Sequence, residues 1–247
     1  MPAAGDAARG RPAPDQPAVS QRAGGSRTPR TTSDDANPTG RAKAAGRRRA
    51  VGREVVTPHG EARYALEVPA AYAGTLLVLG HGAGGDVDAA DLVAVRAAVL
   101  AAGGAVAMVT QPYRVAGRRA PAPAKQLDVA WLAVLAELRR RVPVTTLVVG
   151  GRSSGARVAC RTAVEAGADR ILALAFPLHP PGRPETSRAA ELDTGLPTLV
   201  VNGDRDAFGV PEPTATVLVE VLPGETHALS KHPAAVAAAA AAFVIPV

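Results

Sequence analysis

The sequence predicts an α/β fold in which a mainly parallel β-sheet carries helices on both faces, a three-layer α/β/α sandwich. From residue 53 onward, short β-branched runs alternate with Ala-rich helical stretches of about ten to twenty residues. Thr75–Leu79 (TLLVL) and Thr145–Val149 (TTLVV) lack the polar alternation of a half-exposed strand. Runs of this kind are typical of strands that are covered on both faces.

The elements are predicted in order from these runs and from the helical stretches between them. Asp86 or Asp88 is available to cap the first helix, and the long second helix ends in three consecutive arginines. The predicted strands are Glu54–Thr57, Arg63–Val68 after a turn at His59-Gly60, Thr75–Leu79, Ala105–Val109, Thr145–Val149, Ile171–Phe176, Leu196–Asn202 and Thr216–Leu222. The predicted helices are Val87–Ala102, one within Pro121–Arg141, Ala156–Ala166 and Lys231–Val244.

The net charge of the chain lies entirely in its first 52 residues. The chain has 28 Lys+Arg and 22 Asp+Glu, and residues 1–52 hold 10 of the basic and 4 of the acidic residues. Residues 53–247 therefore hold 18 of each and are formally neutral. Residues 1–52 contain no Phe, Tyr or Trp and are rich in Gly, Pro, Ala and Arg, a composition that predicts a disordered basic tail. Residues 53–247 are predicted to form one domain.

Cysteine content and hydropathy limit the classes of protein to consider. With a single cysteine, an internal disulfide framework or a zinc site built on several thiolates is not expected. No apolar run of about 18 residues appears, and the N-terminus lacks the apolar core of a signal peptide. We therefore expect a cytoplasmic protein that does not span a membrane.

The strongest chemical motif follows the strand TTLVV. Gly151, Ser153 and Gly155 form Gly-x-Ser-x-Gly between that strand and a predicted helix. In this context the motif indicates a nucleophile elbow, whose small residues allow a tight turn and whose serine adopts a strained backbone conformation. The helix that follows directs its positive dipole end toward a developing oxyanion. Ser153 is therefore the candidate nucleophile.

A glycine-rich loop, Gly80–Gly85, follows the strand TLLVL. Such a loop exposes backbone N–H groups, and we assign the oxyanion donors as the N–H groups of Ala83 and Ser154. The loop lacks the Gly-x-x-x-x-Gly-Lys-Ser/Thr pattern of phosphate-binding loops. His81 is expected to organise this loop, and it is also a candidate substrate contact.

The acid and the base of the site are predicted from the two loops after the last two strands. Asp206 lies in Gly203–Asp206, and His227 follows the final strand. Asp206 would orient the imidazole of His227, which would take the proton of Ser153. Asp204 and His232 are the rival acid and base.

Further features near the predicted site concern the cover of the pocket and single polar residues. In FPLHPPGRPE, His179 and Arg183 are candidate contacts for an acidic substrate, and a rigid structural loop is an equally good interpretation. The stretch 177–195 is the longest candidate cover, so no large lid domain is expected. Arg152 is expected to pair with a carboxylate, and Cys160 to be a small core residue.

These motifs together resemble the α/β-hydrolase superfamily, in particular its small dienelactone-hydrolase-like branch. That branch includes a subgroup related to a subunit of the nonspecific-lethal chromatin complex. The resemblance covers the chain from about residue 51 onward, and its Ser-Asp-His triad corresponds to Ser153, Asp206 and His227. It rests on LVLGHGAGG (Leu77–Gly85), QPYR (Gln111–Arg114), VVGGRSSGARVA (Val148–Ala159), FPLHPPGRPE (Phe176–Glu185), VVNGDRDAFG (Val200–Gly209) and Gly-x-x-His (Gly224–His227).

The sequence thus predicts a serine hydrolase that cleaves a small carboxylic ester, thioester or lactone without a metal or an organic cofactor. Its alternative is a hydrolase-fold interaction module that is catalytically silent. A third hypothesis is nucleic-acid binding by the basic tail, which is not expected of the neutral folded domain.

Overall fold

The computed structural model describes residues 51–246, and the predicted tail lies outside them except for its last two residues. The strands are β1 (Val51–Thr57), β2 (Gly60–Glu67), β3 (Thr75–Gly80), β4 (Ala105–Thr110), β5 (Thr146–Arg152), β6 (Arg170–Leu174), β7 (Thr198–Gly203) and β8 (Val217–Leu222). The helices are α1 (Ala90–Ala101), α2 (Pro112–Val115), α3 (Ala124–Arg141), α4 (Ser154–Thr162) and α5 (Pro233–Val244), with a 3₁₀ turn at Ala189–Leu192.

The eight described strands form one sheet in the order β1-β2-β4-β3-β5-β6-β7-β8. β2 runs antiparallel to β1 and β4, and all other neighbours are parallel. The strand order reverses at β3, which pairs with β4 on one side and with β5 on the other. In an open parallel sheet, such a reversal places a crevice outside the carboxyl ends of the two strands, and ligands bind there.

The sheet separates two hydrophobic cores, as its buried strands predict. Along β3, the side chains of Leu76 and Val78 enter the core that α3 and α4 cover. Leu77 and Leu79 enter the opposite core, which α1 and α5 cover. This alternation follows from the period of two residues along a strand, and it confirms the three-layer α/β/α sandwich.

Three helices differ at their ends from the prediction, and the last of them, α5, begins at Pro233 instead of Lys231. The expected cap from Asp86 or Asp88 is wrong, because α1 begins at Ala90 and no side chain caps it. Asp86 instead accepts a hydrogen bond from its neighbour Val87. The helix after the elbow begins at Ser154 and ends at Thr162, since the next residues form tighter turns.

The connection from β6 to β7 contains only the 3₁₀ turn Ala189–Leu192 as regular structure. It leaves the carboxyl edge of the sheet after β6 as a loop and returns to the opposite edge, where the parallel strand β7 begins. The expectation that no large lid domain covers the carboxyl edge is therefore confirmed for residues 51–246. Within the same residues, no helix is both long and apolar enough to cross a membrane.

Candidate active site

The turn from β5 to α4 is the tight turn that the Gly-x-Ser-x-Gly motif predicts. Ser153 connects the two elements with φ 54° and ψ −109°, a conformation that non-glycine residues rarely adopt. A Cβ atom on Gly151 or on Gly155 would lie 2.5 Å from backbone atoms of Gly80 on β3. Only glycine fits at these two positions, so the sequence permits the close packing that exposes the serine.

A chain of two hydrogen bonds joins the three residues expected to form a triad. The Nε2 atom of His227 lies 2.9 Å from the Oγ atom of Ser153. The Nδ1 atom of the same ring lies 2.9 Å from the Oδ2 atom of Asp206. Because a carboxylate only accepts, Nδ1 carries the ring proton and Nε2 is the acceptor for the serine hydroxyl.

Two further groups hold the carboxylate of Asp206 against the Nδ1 edge of the imidazole. The side chain of Asp206 is fully buried, whereas that of His227 is 22% exposed. The Phe208 N–H donates to Oδ1 at 2.9 Å, and the Asn202 amide donates to Oδ2 at 3.3 Å. The Phe208 ring also packs on the His227 ring, with centroids 4.3 Å apart. The imidazole is therefore held at its edge and on one face.

The two rival residues lie outside this chain of hydrogen bonds. Asp204 is exposed, and its Oδ1 accepts from the Gly224 N–H at 2.7 Å. His232 lies at the start of α5, where its Nδ1 is 3.2 Å from the Oε1 atom of Glu225. The structure thus brings Asp206 and His227 to the serine and directs Asp204 and His232 elsewhere.

The glycine-rich loop after β3 is held by hydrogen bonds of two aromatic side chains. The Tyr113 hydroxyl donates to the carbonyl of Ala83 at 2.7 Å. His81 is 2% exposed, its Nε2 accepts from the Gln111 N–H at 3.1 Å and its Nδ1 lies 2.8 Å from the carbonyl of Gly82. Burial lowers the pKa of His81 from its ordinary value of 6.5. His81 thus fixes the loop as a neutral ring.

This use of both ring nitrogens argues against His81 as a direct substrate contact. The two predicted oxyanion donors, the N–H groups of Ala83 and Ser154, lie on the loop after β3 and at the first residue of α4. In the described part of the chain, neither N–H donates to a protein acceptor. Both groups therefore remain candidate donors for a bound oxyanion.

Arg152 forms the ion pair that the sequence predicts, and its partner is Asp91 on α1. The Nε atom of Arg152 lies 3.0 Å from the Oδ2 atom of Asp91, whose side chain is fully buried. The two atoms are in ionic contact without the alignment of a hydrogen bond. Burial raises the pKa of Asp91, and the Arg152 charge opposes this rise.

The loop after β6 places His179 and Arg183 differently. His179 is half-buried, its Nδ1 lies 3.0 Å from the carbonyl of Pro180, and its ring packs against Gly209. Arg188 donates to the carbonyls of Pro177 and His179 and so restrains the loop. The Arg183 side chain is exposed. These contacts favour the rigid-loop interpretation and leave substrate binding by His179 and Arg183 as a hypothesis.

A cavity of about 310 Å³ lies at the same edge of the sheet, on the side of β4 away from Ser153. Its wall is formed by the β1–β2 turn, the connection after β4 and the first turn of α3. It shares Gln111, Tyr113 and Leu127 with a void of about 10 Å³ that borders Ser154. The carboxyl edge of the sheet thus has an open cavity next to the β4 end, on the far side of β3 from Ser153.

The family model for the alpha/beta hydrolase domain matches residues 73–229, which is more than half of the chain. The chain belongs to the alpha/beta hydrolase family. This matched range includes Ser153, Asp206 and His227. A search of curated proteins finds no match to this alpha/beta hydrolase.

Solved structures share the fold of this alpha/beta hydrolase at low sequence identity. A serine hydrolase without a lid from Xanthomonas campestris is 20% identical with a TM-score of 0.64, and the alignment covers 79% of this chain and 94% of that one. A serine hydrolase homologue from Coxiella burnetii is 16% identical with a TM-score of 0.66, covering 78% and 97%. Est1E from Butyrivibrio proteoclasticus is 18% identical with a TM-score of 0.64, covering 78% and 97%.

Sequence reasoning missed the contacts by which three residues hold the expected triad residues of this alpha/beta hydrolase. Asn202 and Phe208 hold Asp206 and His227, and Arg152 donates to the carbonyl of His227 at 2.7 Å. Asn202 left a signal, because a polar residue at the end of a fully buried strand needs a local partner. The contacts of Phe208 and Arg152 depend on tertiary packing.

Proposed function

We propose that this alpha/beta hydrolase cleaves a carboxylic ester, thioester or lactone through an acyl-enzyme on Ser153. The observation that carries the proposal is the hydrogen-bond chain from Ser153 through His227 to Asp206. Structural neighbours include serine hydrolases and esterases, which supports ester hydrolysis as the reaction class. The three residues and their roles are part of the proposal.

In the first step, the Nε2 atom of His227 takes the proton of Ser153 as Oγ bonds to the acyl carbon. The charge that develops on His227 is stabilised by the buried carboxylate of Asp206. The existing distance of 2.9 Å between Nε2 and Oγ lies within the reach that a general base needs.

The acyl oxygen becomes an oxyanion in the tetrahedral intermediate. The N–H groups of Ala83 and Ser154 would receive it, aided by the positive end of the α4 dipole. When the intermediate collapses, the bond to the alcohol or thiol breaks, and His227 returns its proton to that leaving group. His227 then deprotonates a water molecule, which adds to the acyl carbon, and Ser153 leaves with the proton.

The substrate class follows from the open edge of the sheet. A half-exposed serine at an edge without a large lid favours small or extended esters over substrates that need a regulated lid. Ferulic acid is bound to Est1E in one of its structures, so methyl ferulate belongs in the substrate panel. The dienelactone-hydrolase-like motifs favour a lactone, such as dihydrocoumarin, as a further substrate in the panel. The resemblance to the chromatin subunit suggests no substrate.

The test is labelling of the purified protein with a fluorophosphonate probe, followed by hydrolysis of p-nitrophenyl esters, methyl ferulate and dihydrocoumarin. We expect the wild-type protein to be labelled at Ser153 and to hydrolyse at least one ester. Ser153→Ala is expected to lose both activities, with a fall in kcat of at least about 10⁴-fold.

Ser187→Ala is the matched control, because Ser187 is an exposed serine of the β6–β7 connection. It is expected to be labelled like the wild-type protein. Labelling of the wild-type protein no stronger than that of Ser153→Ala would reject the enzyme and favour the silent interaction module.

A further inference from the structure

The side chain of Arg152 connects two elements that are far apart in the sequence. Its Nε atom contacts the Oδ2 atom of Asp91 at 3.0 Å, and its Nη2 atom donates to the carbonyl of His227 at 2.7 Å. Asp91 lies in the first turn of α1, and His227 lies in the loop after β8. One guanidinium therefore joins the elbow, α1 and the histidine loop.

Asp91 determines where this guanidinium lies. The Asp91 side chain is fully buried and that of Arg152 is 17% exposed, so the pair is largely removed from water. A buried carboxylate needs a cation nearby, because an unpaired buried charge is strongly destabilising. The other carboxylate oxygen of Asp91 accepts the Leu92 N–H at 2.9 Å, which fixes the carboxylate on the helix.

The His227 loop has no regular structure of its own, because β8 ends at Leu222 and α5 begins at Pro233. Asp206 and Phe208 hold the imidazole ring. Arg152 holds the backbone of the same residue at its carbonyl. The ring and backbone contacts together set the distance between Nε2 and the serine Oγ.

We propose that Arg152 is a positioning residue, which clamps the backbone of His227 to α1 through Asp91 and keeps the imidazole in register with Ser153. The inference rests on the proposed function of Ser153 and His227. A displacement of about 1 Å in such a site reduces the rate about 10²-fold. Loss of the clamp therefore lowers kcat, while substrate affinity changes little.

Arg157→Gln is the matched control for substitutions of Arg152. Arg157 also lies near the elbow, in α4, and is half-buried with a bidentate partner in Glu191. Its contacts do not include the histidine loop. A general effect of removing an arginine ion pair near the elbow would therefore appear in both variants.

The first experiment measures kcat, KM and the rate of fluorophosphonate inactivation with p-nitrophenyl acetate as substrate. Arg152→Gln is expected to lower kcat and the inactivation rate about 100-fold with KM within about threefold. Arg152→Lys, which keeps the charge but replaces the forked guanidinium by a single ammonium group, is expected to lie between. Arg157→Gln is expected to stay within about twofold of wild type. A rise in KM at unchanged kcat would overturn the proposal and assign Arg152 to substrate binding.

The double variant Asp91→Asn/Arg152→Gln removes both charges and leaves no unpaired buried carboxylate. It keeps the test valid if Arg152→Gln alone does not fold. We expect the double variant to fold and still to show the fall in kcat. Wild-type kcat in the folded double variant would overturn the clamp.

Hydrogen exchange of the intact chain separates this inference from the proposed reaction. The backbone N–H groups of residues 224–230 are expected to exchange about tenfold faster in the double variant and at wild-type rates in Arg157→Gln. An unreactive wild-type protein with this exchange pattern would reject the hydrolase function and keep the clamp. Unchanged exchange in the double variant would reject the clamp, whatever the activity.

Discussion

Asp206 and Asp204 are two residues apart in one loop, and only their surroundings distinguish them. The Asp206 side chain is fully buried beneath the His227 ring and accepts three hydrogen bonds. Asp204 is exposed and accepts the Gly224 N–H. Position in the loop predicted Asp206 from the sequence, but residue type alone gave no reason to prefer it.

This contrast predicts the effects of two matched substitutions. Asp206→Asn is expected to lower kcat about 10⁴-fold, because the amide favours the wrong imidazole tautomer and does not stabilise its charged form. Asp204→Asn is expected to change kcat less than about threefold, since the amide oxygen still accepts the Gly224 N–H. Steady-state assays on an ester that the wild-type protein hydrolyses check both values. Equal losses in the two variants would contradict the assignment of Asp206.

Cys160 is predicted to be chemically silent in the folded protein. It lies on the buried face of α4, where it is 2% exposed, and burial raises the pKa of its thiol to about 12. Since the thiolate is the reactive form, iodoacetamide at pH 8 is expected to modify Cys160 only after denaturant is added. Intact mass measured before and after denaturation checks this. Modification of the native protein at the denatured rate would show that the helix opens freely.

At the scale of elements, the elbow was predictable and the helix ends were not. Gly-x-Ser-x-Gly between a buried strand and a helix predicts a tight turn, and Gly151 and Gly155 have no room for a Cβ atom. The alanines after Thr162 favour helix by propensity. Gly167 follows them with φ +61°, and its N–H donates to the carbonyl of Val164. This tight turn ends the helical segment despite the alanines.

The loop after β3 predicts a pH dependence of stability through His81. Burial lowers its folded pKa from 6.5, so the unfolded chain binds more protons than the folded chain below about pH 6.5. The contribution of His81 to the free energy of unfolding is therefore fully present above that pH. It is lost as the pH decreases toward the folded pKa, by at most about 1.4 kcal/mol per pH unit for one group.

Urea unfolding between pH 7.5 and pH 5.5 measures this dependence in His81→Gln. The variant is expected to be less stable at pH 7.5, because it loses ring contacts to the loop, but to have a smaller pH slope than wild type. His59→Gln, at an exposed histidine of the β1–β2 turn, is the matched control and is expected to keep the wild-type slope. An unchanged slope in His81→Gln would contradict the link to His81.

For the whole molecule, the sequence predicted those features that depend on a repeated pattern or on residues close together in the chain. Alternating strands and helices predicted the layers, and the strand ends predicted the edge where the site lies. The sequence predicted that Arg152 pairs with a carboxylate, but it did not predict which one. Asp91 is distant in sequence, and it reaches Arg152 only because β3 and β5 are neighbours in the sheet.

The position of the net charge makes a prediction for the whole chain. Residues 1–52 carry all six excess positive charges, and the remaining residues hold 18 basic and 18 acidic side chains. Polyanion binding depends on the number of cations that release counterions, so it weakens steeply as salt concentration rises. Any such binding should therefore follow the first 52 residues rather than the alpha/beta hydrolase fold.

Elution from heparin in a salt gradient tests this with three proteins: the full chain, residues 51–247, and the full chain with Arg47, Arg48 and Arg49 replaced by alanine. The cut at residue 51 keeps β1 intact and removes every excess charge. We expect the truncated protein to elute at the start of the gradient, the full chain last and the alanine variant between them, because three of six excess charges remain. Retention of the truncated protein as strong as that of the full chain would place a basic surface on the folded part, despite its formal neutrality.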